Sequence, residues 1–250
     1  MAEILLVHGA WHGPWCWIDF AERLRNRGHQ VQAVRLRGHD RPRGRIWHRV
    51  HHYVEDVGRA AADFAASPVL VGHSLGGLVV QKYLERNPAA GAVLMASIPT
   101  NGTIAAVARL LQQYPVPWLK ANLLLRLQPL VATRRMVREL FFTPDTPQAV
   151  VDDCFERLQD ESYLAFIDTM VVLTLPRRVR APMLVLGAGK DAFFTVDEVR
   201  RTALAYGTEA EIFPEMAHDM MLDRDWCKVA DRIDAWVRSL VDNKSDASIN

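Results

Sequence analysis

The sequence predicts an α/β architecture: a doubly wound, mainly parallel sheet with a helical cap inserted between two of its strands. Three observations carry this. Short apolar runs alternate with helical stretches along most of the chain. Several of the runs are apolar throughout, as parallel strands covered on both faces require. The alternation then stops between residues 99 and 178. Strands are expected at 3–9, 29–36, 68–74, 89–97, 181–189 and 209–215, and helices at 15–27, 50–66, 76–87, 195–206 and 223–240. In the last helix Val229, Ile233, Trp236, Val237 and Leu240 recur at helical spacing and make one apolar face.

The stretch 99–178 offers no convincing strand. Its helical pieces (103–114, 121–130, 133–142, 147–158 and 162–173) are punctuated by Pro115, Pro117, Pro129, Pro144 and Pro147. A helical insertion between sheet strands belongs over the carboxyl edge of the sheet, where open α/β sheets bind ligands. The expected organisation is a core of 1–98 and 179–250 with a cap, or lid, of 99–178. The final ten residues, "VDNKSDASIN", read as a frayed polar tail.

Composition bounds the function. The 250 residues are half hydrophobic and 24% charged, the profile of a soluble globular protein with a sizeable core. A formal net charge of +1 argues against binding nucleic acid. Cys16, Cys154 and Cys227 show neither metal-ligand spacing nor a disulfide framework, so they read as free thiols in a reducing compartment. No signal segment is visible and no apolar run reaches the length of a membrane span, so a cytoplasmic protein without stable membrane insertion is expected.

The stretch "VLVGHSLGG" (69–77) sets one serine between glycines directly after an apolar run. Gly72-His73-Ser74-Leu75-Gly76 matches G-x-S-x-G, with a strand before it and a helix after it, the context in which the pattern carries chemistry. A sharp strand-to-helix turn presents the serine oxygen clear of the backbone, and the glycines remove side chains that would collide there. The helix behind Ser74 also aims free N–H groups at developing negative charge. Ser74 could instead merely cap that helix; the strand and helix together favour a nucleophile.

A serine nucleophile needs a base, and the base needs an orienting carboxylate. Of nine histidines, His218 falls between the last strand and the last helix, at the same sheet edge as Ser74. Asp191 stands at the end of the penultimate strand, whereas Asp197 begins a helix, and "SIPTNG" (97–102) contains no rival carboxylate. The order Ser74, Asp191, His218 is that of one known triad arrangement. Asp219 reads as the N-cap of the last helix. For the oxyanion hole the backbone N–H groups of Leu75 and Ala10 are expected, with Trp11 as the near alternative to Ala10. His8 and His12 read as loop scaffolding rather than proton carriers.

"HGAWHGPW", "GHSLGG", "GAGKD" and "AHDMML", in this order and spacing, resemble the α/β-hydrolase fold family, in particular its cap-bearing branch of plant methyl esterases, hydroxynitrile lyases and bacterial esterases. The resemblance spans nearly the whole chain and is weak from 99 to 178. It implies Ser74 as nucleophile, His218 as base, Asp191 as acid, and Ala10 and Leu75 in the oxyanion hole. Dehalogenase and epoxide hydrolase relatives carry Asp at the nucleophile position, which Ser74 argues against. The lyases of this branch use a lysine beside the catalytic histidine; here Glu215, Met216, Ala217 and Asp219 surround His218.

Other features carry less. His48, His51 and His52 stand at helical spacing but lack accompanying ligands, so no metal site is expected. The basic run "RLRGHDRPRGR" (35–45) reads as a solvated loop. In the cap, Trp118, Leu119 and Leu123 to Leu125 read as an apolar pocket wall, joined by Trp11 from the core. The leading function is a cofactor-free serine hydrolase of a carboxylic ester, or a thioester, with an apolar acyl or alcohol group as its small-molecule partner. Alternatives are a lyase or C–C bond hydrolase using the same triad, and a small-molecule receptor keeping a hydrolase pocket. The oligomeric state stays open, a homodimer included.

Overall fold

The computed structural model describes residues 1–39 and 47–247, the last six of these by their backbone alone. Six strands form one sheet: β1 Glu3–Val7, β2 Gln30–Val34, β3 Val69–His73, β4 Gly91–Met95, β5 Met183–Ala188 and β6 Ala210–Phe213. They lie in the order β2-β1-β3-β4-β5-β6, and every neighbouring pair is parallel. Each strand is one or two residues shorter at either end than the apolar run that announces it, except that β1 begins at Glu3 as its run does. The order reverses between β1 and β3, where the chain steps out to β2 and returns, and such a switch point opens a crevice at the carboxyl ends.

Helices cover both faces. Ile4 and Leu6 of β1, with Val69 and Val71 of β3, face α1 (Ile18–Asn26) and α10 (Trp226–Ala247). The alternate residues Leu5, Val7 and Leu70 face α2 (Val50–Ala62), α3 (Leu75–Leu84) and α9 (Val196–Ala205). The two-residue period of a strand sends its neighbours to opposite layers, so continuous apolar strands give a core on each side. Val229, Ile233 and Val237 of α10 are fully buried, while Trp236 and Leu240 pack at the rim of the same cluster.

Between β4 and β5 the chain makes α4 (Ile104–Gln113), α5 (Pro115–Leu124), α6 (Arg134–Phe141), α7 (Gln148–Arg157) and α8 (Tyr163–Val171). The second of these begins at Pro115, six residues before the helix that the sequence predicts at 121. Pro115 is the first helical residue of α5, a position where the missing N–H costs nothing. Leu125, with φ +48°, then ends the helix in the left-handed region. Two other corrections concern the C-terminal part. The last helix starts at Trp226 rather than 223, and its backbone stays helical to Ala247 instead of fraying from 241. Residues 40–45 of the basic run lie outside the described residues. Among the described residues no helix is long and apolar enough to cross a membrane.

Candidate active site

Ser74 occupies the turn between β3 and α3 with φ +51° and ψ −117°, a conformation that costs a side-chain-bearing residue about 1–3 kcal/mol. Its surroundings leave it no alternative. A Cβ on Gly72 would lie 2.6 Å from the Gly76 carbonyl oxygen, and one on Gly76 would lie 2.3 Å from that of Val7. The N–H groups of Gly77 and Ile98 both donate to the Ser74 carbonyl, at 3.0 and 3.1 Å. Strand pairing aligns Val7 with Gly72, so the loop after β1 and the serine turn leave the sheet side by side at the switch point.

Asp191 follows β5 and its carboxylate is buried. Its Oδ1 accepts from the backbone N–H groups of Phe193 (2.8 Å) and Phe194 (3.1 Å). His218 Nδ1 lies 2.9 Å from both carboxylate oxygens. This puts the proton on Nδ1 and leaves Nε2 as a free acceptor. Phe193 packs on the imidazole with centroids 4.4 Å apart. His73, directly before the serine, donates from Nε2 to the His218 carbonyl at 3.0 Å. Burial, with His218 nearby, pushes the His73 pKa down to about 3, so this ring is a neutral tether between the two loops. Among the described residues the Ser74 hydroxyl makes no hydrogen bond to His218.

Leu75 is the first residue of α3, so its N–H is one of the donors a helix start leaves free. Ala10 and Trp11 stand opposite it, and all three line one cavity with Ser74. Trp11 adopts φ +62°, and its carbonyl accepts from the Gln159 N–H at 2.8 Å. His8, with its pKa held well below the usual value by burial and by His39, is a neutral brace bonded to Gly9 and the Leu36 N–H. His12 bridges the Ala10 carbonyl and the Asp219 carboxylate. Asp219 is therefore not a helix cap. It is fully buried, seven positions before α10 begins, and its side chain serves His12.

The cavity is small, about 60 Å³, and mostly apolar. Phe193 and Phe194 from the core meet Ala106, Val107 and Leu110 of α4 and Phe166 of α8 around it. Of the side chains expected to bind substrate, Trp11 is there. Trp118 is one layer back, edge-on to Phe166 at 5.6 Å. Leu119 and Leu123 are not there at all: they are 58% and 74% exposed on the outer face of α5. Starting α5 at Pro115 turns Ala121 inward and these leucines outward.

A family model described as the alpha/beta hydrolase family matches residues 4–232. The chain belongs to the alpha/beta hydrolase family. Among curated proteins the chain is similar to the carbendazim hydrolyzing esterase of Nocardioides sp. (strain SG-4G), with 35% identity over 34% of this chain and 37% of that protein. It is also similar to methylesterase 10 of Arabidopsis thaliana, with 34% identity over 45% of this chain and 42% of that protein. The matched stretch thus spans less than half the length of these relatives. Two solved structures share the fold. An esterase from Exiguobacterium antarcticum superposes with a TM-score of 0.76 over 95% of this chain and 92% of its own, at 17% identity. Polyneuridine aldehyde esterase gives 0.69 over 93% and 99%, at 18% identity.

Several residues that line the cavity are not among those the sequence singles out. Phe193 and Phe194 follow Asp191 after one alanine in "GKDAFF" and are legible there. Glu161, Thr103 and Thr169 also line the cavity, and nothing local in the sequence marks them. Glu161 is buried and accepts from Tyr53 Oη (2.7 Å) and His39 Nε2 (3.1 Å). Two triplets, His12–Cys154–Asp219 and His73–His218–Asp219, bring possible metal-ligand atoms within 4.8 Å of one another. Nε2 of His12 is engaged with Asp219, Nε2 of His73 with the His218 carbonyl, and burial keeps the Cys154 thiol protonated. His52 spends Nδ1 on the Arg49 N–H at the start of α2.

Proposed function

We propose that this hydrolase is a cofactor-free serine esterase, working through an acyl-enzyme on Ser74. The single observation that carries the reading is the buried Asp191–His218 pair, whose geometry leaves Nε2 free as a base, on a loop that His73 ties to the strained Ser74 turn. His218 Nε2 takes the Ser74 proton as Oγ attacks the ester carbonyl, and then gives it to the departing alcohol. The oxyanion forms between the N–H groups of Leu75 and Ala10, each contributing about 3 kcal/mol. Water, deprotonated by the same nitrogen, releases the acid. The missing Ser74–His218 hydrogen bond closes as substrate enters, since catalytic contacts tighten in the complex.

The segment 99–178 acts as a lid, with α4 and α8 forming the apolar wall that selects an apolar acyl or alcohol group. The similarity to esterases, among them a methylesterase, supports an ester with a small alcohol. The test combines a fluorophosphonate label with Ser74→Ala. One adduct on Ser74 is expected, together with a loss of ester turnover of about 10⁶-fold in the alanine variant. An adduct on another residue, or an active alanine variant, overturns the assignment.

A further inference from the structure

His12 and Asp219 are 1% and 0% exposed, and neither takes part in the proton transfers above. His12 Nε2 lies 2.9 Å from Asp219 Oδ2, and its Nδ1 lies 2.7 Å from the Ala10 carbonyl oxygen. Both partners are acceptors, so the ring satisfies them together only when both nitrogens carry protons. Ala10 belongs to the oxyanion loop, and Asp219 is bonded in sequence to His218. The contact therefore joins the loop that receives negative charge to the loop that carries the base. We propose that His12 and Asp219 form a buried clamp fixing the oxyanion loop against the His218 loop, with His12 as a positioning residue for the esterase reaction, on whose reading this rests.

The surroundings support the charged form. Burial alone would lower the His12 pKa; the Asp219 charge and hydrogen bond, with the bond to Ala10, outweigh it and leave it raised. The other groups facing the ring do not compete. His73 is neutral, Cys154 Sγ at 4.0 Å keeps its proton, Trp15 stacks on the ring and Phe141 meets it in a T-shaped contact, and the more distant His39 is paired with Glu161. When pH rises through the folded His12 value, the remaining proton stays on Nε2, facing the carboxylate. Nδ1 then turns a lone pair on the Ala10 carbonyl, and the oxyanion loop loses its tie. Turnover falls on the basic side.

The experiment uses the full chain. Fluorophosphonate labelling of the wild type at Ser74 first establishes the nucleophile, so that failure of the esterase reading shows separately. kcat and KM are then measured from roughly pH 5 to 10 for wild type, His12→Gln and Asp219→Asn. His12→Gln reaches at most one of the two partners and should lower kcat by roughly ten- to a hundredfold, with KM within about threefold. Asp219→Asn donates an amide N–H to Nε2, so a neutral His12 keeps its bond to Ala10. Whatever its plateau kcat, this variant should lose the basic limb of the wild-type profile. A wild-type level of kcat in a folded His12→Gln, or the same basic limb in wild type and Asp219→Asn, overturns the clamp. If His12→Gln does not fold, the Asp219→Asn profile decides.

Discussion

The strand ends of the sheet and the helical segment 99–178 border the same cavity and are built to different tolerances. At the strand ends each group is held from more than one side. Ser74 has glycines that admit no Cβ, Asp191 has two backbone donors beside His218, and His218 has His73 on its carbonyl. The segment is anchored at a few polar points. Asp168 takes Arg49 and the Val50 N–H, and Asp223 takes Thr143 and Thr146, while within the segment Asp160 takes Arg126 and three backbone N–H groups. Between those anchors its outer face leaves Val116, Leu119, Leu123 and Leu124 in water. Proton transfer tolerates displacements of a fraction of an ångström, whereas an apolar wall needs only volume and hydrophobicity. Under the proposed esterase mechanism, the tightly held region suits the bond-breaking step and the other the choice of substrate.

The comparison breaks most directly at Asp191. Asp191→Asn keeps the size but donates an N–H toward His218 Nδ1, which favours the wrong tautomer. A loss of about 10⁴ in kcat is expected from ester assays, with the fold intact by circular dichroism. Near-wild-type turnover would mean that the strand ends are not tuned as tightly as their hydrogen bonds imply.

The anchoring of the segment is tested next, at Glu161. It ties His39, beyond β2 in the core, to the residues before α8. Burial would raise the Glu161 pKa, but the His39 charge and the hydrogen bonds from His39, Tyr53 and the Ser162 N–H leave it lowered; His39 is correspondingly raised against its own burial. Glu161 therefore adds stability above its unfolded pKa that is lost as pH falls through its folded value. His39 adds stability below its unfolded pKa that is lost as pH rises through its folded value. Glu161→Gln leaves one member of a buried pair unbalanced and should cost about 3–5 kcal/mol in denaturant unfolding near neutral pH. The loss should shrink toward acid pH, where wild type loses the same interaction.

The looseness of the wall predicts a smaller effect. Phe166→Leu removes part of a cavity-lining ring backed by Trp118 and should move the preferred acyl chain longer by one or two carbons. Each added methylene that fits contributes at most about 0.8 kcal/mol, roughly fourfold in kcat/KM. Aryl esters of increasing acyl length read this directly. An unchanged optimum would mean that the core aromatics Phe193 and Phe194 alone set the length.

The same division decides what was legible in the sequence. Ser74, Asp191 and His218 stand where strands end, and a tight turn, a strand-end carboxylate and a loop before the last helix are local signals. Asp219 gave the local signal of a helix cap, yet its partner His12 is 207 residues away, and no local pattern reports that contact. Trp118, Leu119 and Leu123 sit in an apolar run whose helical phase decides which side chains point in. That phase turns on whether the helix opens at Pro115 or at Ala121, and a shift of this kind moves whole side chains between cavity and solvent. Glu161 and Thr169 reach the cavity through the packing of α8, which apolar periodicity does not specify.

The smallest expected effect lies on the outer face of α5. Leu123 is 74% exposed and lines no part of the cavity. If exposed positions there only cover the fold, Leu123→Ser changes stability within about 0.5 kcal/mol, because little buried apolar area is lost and no hydrogen-bond partner is stranded. Turnover and chain-length preference should also match wild type for dissolved short-chain esters. The pairing with Phe166→Leu makes the result informative, since the two positions belong to the same helical segment and differ in which side of it they face. A shifted chain-length optimum in Leu123→Ser would mean that α5 turns its leucines onto the substrate during turnover, and the outer face would then belong to the selecting wall.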